Sequence, residues 1–203
     1  MTSTFSVKDY LCALGVILIW GTNFVAMKFG LKDFTPFQMG TGRYLAAALP
    51  LVFFIRQPAL PVRWILLYGV CQGLGQFGLL FLALKLGMTA SLASVLMQTQ
   101  VFFTALFGMA LLHEPLGREK KFSLGLGALA LTCFGMGVQA GTSTGVTWPG
   151  LLLNLGGAAM WAISNIVVRK AQQSHPSGPG YDPVAFVVWS STVPIIPFAV
   201  LSW

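Results

Sequence analysis

The chain has 203 residues, of which 56% are hydrophobic and 8% are charged, and its mean hydropathy is +0.77. Soluble domains carry about 25% charged residues, so this composition excludes a soluble protein and predicts an integral membrane protein. The formal net charge of +7 would suggest a nucleic-acid partner in a soluble chain. Here most bases lie in short loops between apolar runs, so we expect the lipid bilayer and no nucleic acid as partner.

Seven apolar runs follow one another along the chain, each of about 20 residues, the length that crosses roughly 30 Å of hydrocarbon. They cover residues 10–28, 36–55, 64–84, 88–112, 122–140, 148–168 and 183–203. Backbone groups in lipid must be hydrogen-bonded internally, and long apolar runs without strand alternation achieve this only as helices. The sequence therefore predicts an all-α membrane protein with about seven transmembrane helices.

The end of the first run carries a motif that occurs again 141 residues later. It consists of a Trp, an Asn three or four positions on, and a base eight positions on: Trp20, Asn23 and Lys28, then Trp161, Asn165 and Arg169. In the runs that follow, Pro36 and Pro50 match Pro183 and Pro197 at an offset of 147 residues. Two copies of one membrane unit are typical of a transporter.

The repeated motif supplies the first candidate site residues, because inverted repeats bring equivalent helices together around a central site. We predict that Trp20 and Asn23 flank a path from one side, and Trp161 and Asn165 from the other. Interface anchoring is the alternative role for the two Trp residues. Both lie more than ten residues inside their predicted spans, which is too deep for an anchor.

The short loops predict an orientation, since Lys and Arg accumulate on the cytoplasmic side. Eight bases lie in the amino-terminal tail and in the loops after the second, fourth and sixth runs, whereas three lie on the opposite side. We therefore expect a multi-pass membrane protein with a cytoplasmic amino terminus.

Groups for catalysis are scarce, because the acidic residues all lie in loops or at the ends of runs: Asp9, Asp33, Glu114, Glu119 and Asp182. The two His residues lie in loops, and the three Cys residues are isolated and lack metal-ligand spacing. We expect no catalytic residues, no metal, no cofactor and no enzymatic activity.

Arg43 is the one cation well inside a predicted span, about two turns from its start. A charge near the centre of the bilayer costs about 2.5–3.5 kcal/mol on insertion scales, so it marks a candidate substrate site. The alternative is that the guanidinium reaches the headgroups, and the repeat-equivalent residue is Ser190.

Neutral polar residues form helical faces in the third and fourth runs. Gln72 and Gln76 are four positions apart, and Ser94 and Gln98 are also four apart, so each pair lies on one face of a helix. Amides and hydroxyls can line a path for a small zwitterion. They can equally join neighbouring helices, at about 0.6 kcal/mol per bond.

Glycine and proline predict how the helices are shaped and packed. The third and fifth runs are rich in glycine, which favours close helix packing over a direct functional role. Pro50, Pro194 and Pro197 lie inside the second and seventh runs and are expected to bend them.

Several stretches in order resemble the EamA-type branch of the drug/metabolite transporter superfamily, and within it the cysteine and O-acetylserine exporter group. They are the motif from Trp20 to Lys28, Arg43, Gly75–Phe77, the run from Gly87 to Leu96, Gln98–Gln100, Leu112–Glu114, and Trp189–Ser190 with Pro194–Phe198. The resemblance covers essentially the whole chain. It implies two five-helix repeats of opposite topology with a substrate path between them.

On that pattern, residues 1–145 are one complete repeat and residues 146–203 are the first two helices of a second, truncated repeat. The implied function is export of small amino-acid metabolites such as cysteine or O-acetylserine. The alternatives are a non-transporting membrane subunit, or an inactive fragment of such a transporter. Pairing of two copies into a homodimer is a further possibility for so short a second repeat.

Overall fold

The computed structural model describes residues 6–115, 117–139, 146–174 and 182–203, and within these ranges the regular structure is entirely helical. The helices are α1 (Val7–Gly30), α2 (Pro36–Val52), α3 (Val62–Lys85), α4 (Ala90–Leu112), α5 (Arg118–Gln139), α6 (Trp148–Gln173) and α7 (Pro183–Leu201). The predicted all-α fold is confirmed. A helix occupies each of the seven predicted runs.

Five of these helices, α1, α3, α4, α6 and α7, are long and apolar enough to cross a membrane. Helix α2 has 17 residues, which corresponds to about 25 Å at 1.5 Å per residue. The apolar part of α5 is the shorter stretch Lys121–Gly137. Helices α2 and α5 are therefore shorter or less apolar than the other five helices.

The helix starts follow from short polar residues at the N-cap. Ser6 and Asp9 form a reciprocal capping box at α1, with Asp9 Oδ2 accepting from Ser6 N at 2.8 Å. Thr35 and Gln38 form the same arrangement at α2. Each box pairs backbone N–H groups that the first turn of a helix leaves without a partner.

Three helices are irregular near their midpoints. Helix α3 is π-helical over Gly69–Gly78, α4 is interrupted between Met97 and Gln100, and α7 is interrupted between Ser190 and Ile195. Such segments are frequent at functional sites, because they release or re-aim backbone and side-chain groups.

The prolines account for part of this irregularity. Pro194 immediately precedes the second half of α7, and Pro197 lies in the first turn of that half, where a missing N–H removes no helical bond. Helix α7, which was expected to bend, is therefore interrupted directly before the half that follows Pro194. Pro50 lies two residues before the end of α2, so it precedes a helix terminus.

Helix α6 is at the centre of the fold and packs against α3 and α4. The glycines of α3 allow this close approach. A β-carbon at Gly75 would lie 2.5 Å from Met160 of α6, and one at Gly73 would lie 2.6 Å from Pro194 of α7. In α5, a β-carbon at Gly125 would meet nothing within 4 Å. The predicted packing role of glycine is thus evident in α3 and is not seen at Gly125.

Helices α2 and α7, which carry the matched prolines, lie side by side in opposite directions. At one end, the rings of Phe37 and Phe198 are 6.4 Å apart, although Phe37 begins α2 and Phe198 is near the end of α7. At the other end, Trp189 Nε1 donates to Ile55 O at 3.0 Å. The two helices are therefore antiparallel.

Helix α1 is attached to the rest of the fold by its carboxyl-terminal half. Phe24 and Met27 are buried, and Lys28 Nζ donates to Leu84 O at 2.7 Å and to Met88 O at 3.1 Å at the end of α3. Residues of the amino-terminal half such as Ile17, which is 66% exposed, are apolar and uncovered. An apolar surface of this kind is compatible with lipid.

Candidate functional site

A cavity of about 310 Å³ lies between α1, α2, α3, α6 and α7, near the middle of their lengths. Six predicted site residues line it: Trp20, Asn23, Arg43, Gln72, Gln76 and Trp161. The π-helical segment of α3 supplies both glutamines, and Ser191 lines the cavity from the break in α7. Irregular helices around a mid-membrane cavity are typical of transporter binding sites.

Arg43 projects from α2 into this cavity. Its guanidinium carbon lies 4.1 Å from the centroid of the Phe77 ring, and its Nη1 donates to Asn23 Oδ1 at 3.1 Å. The only ion pair between side chains in the described parts of the chain joins Arg169 to Glu114, so Arg43 has no carboxylate partner there. Its positive charge is held by a ring face and neutral oxygens.

Gln72 and Gln76 form a polar wall on α3, as their spacing predicts. Ser164 Oγ of α6 lies 2.6 Å from Gln72 Oε1 and donates to it. Gln76 is 4% exposed, and its Oε1 has no hydrogen-bond partner in the described structure. A buried polar atom left unpaired costs about 1–3 kcal/mol, so this oxygen is available to a ligand that can donate a hydrogen bond.

The two Trp residues of the repeated motif meet at the cavity. The ring centroids of Trp20 and Trp161 are 5.2 Å apart, with the planes tilted by 32°, within the range of favourable aromatic pairs. Trp20 is 49% exposed. The pair forms an apolar boundary on the side where α1 and α6 approach each other.

The structure places the other three predicted residues elsewhere. Gln98 and Asn165 line a larger groove of about 920 Å³ between α4, α5 and α6. Asn165 Nδ2 donates there to Gln100 Oε1 at 3.0 Å and to Thr104 Oγ1 at 3.2 Å. Ser94 Oγ donates to Ser91 O of its own helix at 2.7 Å. Asn165 is thus separated from Asn23.

Ser164 bonds to the cavity residue Gln72 and was missed by the motif comparison, although the offset contained the signal. Asn23 follows Trp20 by three positions, and Ser164 follows Trp161 by three, whereas Asn165 follows by four. One residue along a helix rotates a side chain by about 100°. The strict offset therefore matches Asn23 to Ser164, which bonds to Gln72 of α3, whereas Asn165 bonds to α4.

The base at the end of each motif copy bonds to residues at or just beyond the end of another helix. Lys28 contacts carbonyl oxygens at the end of α3, a favourable position for a cation. Arg169 Nη1 donates to both carboxylate oxygens of Glu114, at 2.9 and 3.1 Å. Neither base belongs to the small cavity. Among the described residues, no group of three or more His, Cys, Asp or Glu side chains is placed to hold a metal.

Comparison with known proteins gives relatives over nearly the whole chain. A Salmonella typhimurium (strain LT2) protein named "Probable amino-acid metabolite efflux pump" is 38% identical over 198 residues, which are 96% of this chain and 64% of that protein. A protein of the same name from Escherichia coli (strain K12) is 37% identical over the same shares. This chain therefore spans about 64% of the length of these two relatives.

A more distant relative is the Bacillus subtilis (strain 168) protein named "Uncharacterized transporter YoaV", with 29% identity over 83% of this chain and 59% of that protein. No solved structure matches the chain. The EamA-like transporter family matches residues 7–136, which is more than half of the sequence. Together with the apolar helices, this match shows that the chain is a multi-pass membrane protein belonging to the EamA-like transporter family.

Proposed function

We propose that the protein exports small amino-acid metabolites, such as cysteine or O-acetylserine, across the bacterial inner membrane. The observation that carries the proposal is the mid-span cavity, where Arg43 meets Phe77 and Asn23 but no carboxylate of the described chain. The names of the Salmonella and Escherichia coli relatives, as probable amino-acid metabolite efflux pumps, support both the direction of transport and the class of solute.

The lining of the cavity fits a small polar solute. Amides and hydroxyls can donate to a carboxylate and accept from an ammonium, and the indole rings exclude water from the remainder. A volume of about 310 Å³ is at the small end of ligand sites in proteins, about 300–1,000 Å³. An amino acid with a short side chain therefore suits the cavity better than a large one.

The same proposal assigns residues 1–145 and 146–203 to two units of opposite topology. It is supported by the antiparallel packing of α2 and α7 and by the contact between Trp20 and Trp161. If equivalent helices of two units pair in this way, the cavity lies at their interface. That is where alternating access would expose it to each side in turn.

We also propose that the amino terminus is cytoplasmic, from the distribution of Lys and Arg between the loops. Asp33 lies between α1 and α2, and Gln57 lies between α2 and α3, and both are exposed. In a cysteine-free background, a membrane-impermeant thiol reagent should label Asp33→Cys in intact cells and leave Gln57→Cys unlabelled. The opposite pattern would reverse the orientation.

Export is tested by overproducing the complete gene product and measuring thiol and O-acetylserine in the medium. Both should rise above the level of cells with the empty vector, and the cells should tolerate an external excess of the exported compound. A protein that reaches the membrane in normal amount but exports no amino-acid metabolite would disprove the proposal. Its stable association with another membrane protein, again without flux, would favour a non-transporting subunit.

A further inference from the structure

We infer, resting on the proposed transport function, that Arg43 and Asn23 form a subsite for the substrate carboxylate and that Gln76 contacts the adjacent ammonium. The substrate class is then α-amino acids with a free carboxylate and a short side chain. Carboxamides and decarboxylated amines of the same size are excluded from this class.

Around Arg43, hydrogen-bond donors outnumber the acceptors. A guanidinium presents five N–H groups, and its polar neighbours are Asn23 Oδ1, at 3.1 Å, and the Tyr44 hydroxyl. Both neighbours are neutral. The Asn23 amide nitrogen adds further donors on the same side. A planar carboxylate satisfies such a group with two parallel hydrogen bonds and also neutralises its charge.

The guanidinium of Arg43 is also held in a defined position. Its carbon lies 4.1 Å from the centroid of Phe77, and Tyr44 packs edge-on against the same ring, with centroids 6.1 Å apart. Stacking fixes one face of the guanidinium and leaves its edge for hydrogen bonding. A flexible charge that reached for headgroups would not be held between α1 and α3 in this way.

The residue before Phe77 carries an unpaired hydrogen-bond acceptor. Gln76 precedes Phe77 in α3, and its Oε1 is buried without a hydrogen-bond partner in the part of the chain described. An ammonium has three donors and no acceptor. In an α-amino acid the carboxylate and ammonium groups are attached to the same carbon. The cavity therefore offers Arg43 and Asn23 to the carboxylate and Gln76 to the ammonium.

The binding test uses the purified complete gene product and ligand-induced shifts in its thermal unfolding. The probes are O-acetyl-L-serine and L-serine as acids, L-serinamide as the carboxamide, and ethanolamine as the decarboxylated amine. The two acids should stabilise the protein. The apparent Kd of serinamide and of ethanolamine should exceed that of serine by about tenfold or more, because each lacks the charge-assisted pair.

Two variants and one control separate binding from folding. Asn23→Asp is nearly isosteric and places a carboxylate beside Arg43, so the protein should fold normally and bind serine at least about tenfold more weakly. Arg43→Gln should show the same loss. Arg63→Gln is the matched control, because Arg63 also stacks on an aromatic ring, Trp64 at 5.1 Å, but is exposed and outside the cavity. It should bind serine normally.

The outcomes distinguish the subsite from transport itself. Equal binding of serine and serinamide, unchanged serine binding in Asn23→Asp, or no binding of either acid to the unaltered protein would overturn the subsite. Export of amino-acid metabolites without preference for the free carboxylate would do so as well, and would leave the proposed function intact. Acid-selective binding without any export would support the subsite and reject the transport function.

Discussion

The small cavity and the larger groove each contain an arginine and amide side chains, but these groups differ in whether they have bonding partners. In the groove, Arg169 is paired with Glu114 and Asn165 is bonded to Gln100 and Thr104. In the cavity, Arg43 lacks a carboxylate partner and Gln76 Oε1 lacks any partner, within the ranges that the structure describes. The groove has roughly three times the volume of the cavity.

This difference shows that volume alone is a poor guide to the site. In the groove, the side chains of Arg169 and Asn165 are bonded to other residues of the groove, so they join helices and have little left to offer a solute. The cavity instead keeps an uncompensated charge and an unpaired amide oxygen, which are costly unless a ligand completes them. We therefore propose the smaller space as the substrate site.

Gly73→Val should have the largest effect, because it disrupts the packing of α3 against α7, two helices that border the cavity. A β-carbon at this position would lie 2.6 Å from Pro194 Cγ, so α3 and α7 would be forced apart. We expect destabilisation by about 1–3 kcal/mol, seen as a lower Tm of the purified protein and loss of export. Gly125→Val in α5 is the control, since its β-carbon meets open space. Equal loss in both variants would show that the packing argument is wrong.

Asn23→Ala and Asn165→Ala compare the two regions directly. Asn23 orients Arg43 within the cavity, so its loss should lower export by about tenfold, the equivalent of about 1.4 kcal/mol. Asn165 has only interhelical bonds, worth about 0.6 kcal/mol each, and export should stay within about threefold of normal. Both proteins should reach the membrane. A larger loss in Asn165→Ala would move the site to the groove.

Glu114→Gln should have the smallest effect. The Glu114 and Arg169 side chains are 39% and 43% exposed, and exposed ion pairs contribute about 0–1 kcal/mol. We expect a Tm change of at most a few degrees and normal export at both low and high salt. A strong loss of export in this variant, with the membrane level unchanged, would give the groove a direct part in transport.

Much of the fold follows from the sequence because hydrocarbon imposes a simple rule on the backbone. Apolar runs of sufficient length must be helical, and the observed helices begin at short polar residues such as Ser6 and Thr35. The break in α7 was also predictable, since Pro194 cannot continue a helix. The π-helical segment of α3 was not, because it depends on how closely Met160 and Pro194 approach the glycines.

For the repeated motif, the sequence predicts the contacts correctly where residues are matched at the exact offset of 141 residues. Trp20 and Trp161 share one offset and meet in space, whereas Asn165 was matched to Asn23 by residue type and is rotated out of the cavity. Ser164 has the correct offset but a different side chain. The position of Arg43 over Phe77 and beside Asn23 depends on the tertiary contacts of α2 with α1 and α3, which no local pattern contains.

The size of the cavity has a consequence for water. At about 30 Å³ per molecule in the liquid, a space of about 310 Å³ holds roughly ten waters. A bound amino acid would displace a large share of them, so the solute must lose most of its hydration shell on entry. The fixed groups of Arg43, Asn23, Gln72 and Gln76 then replace that shell.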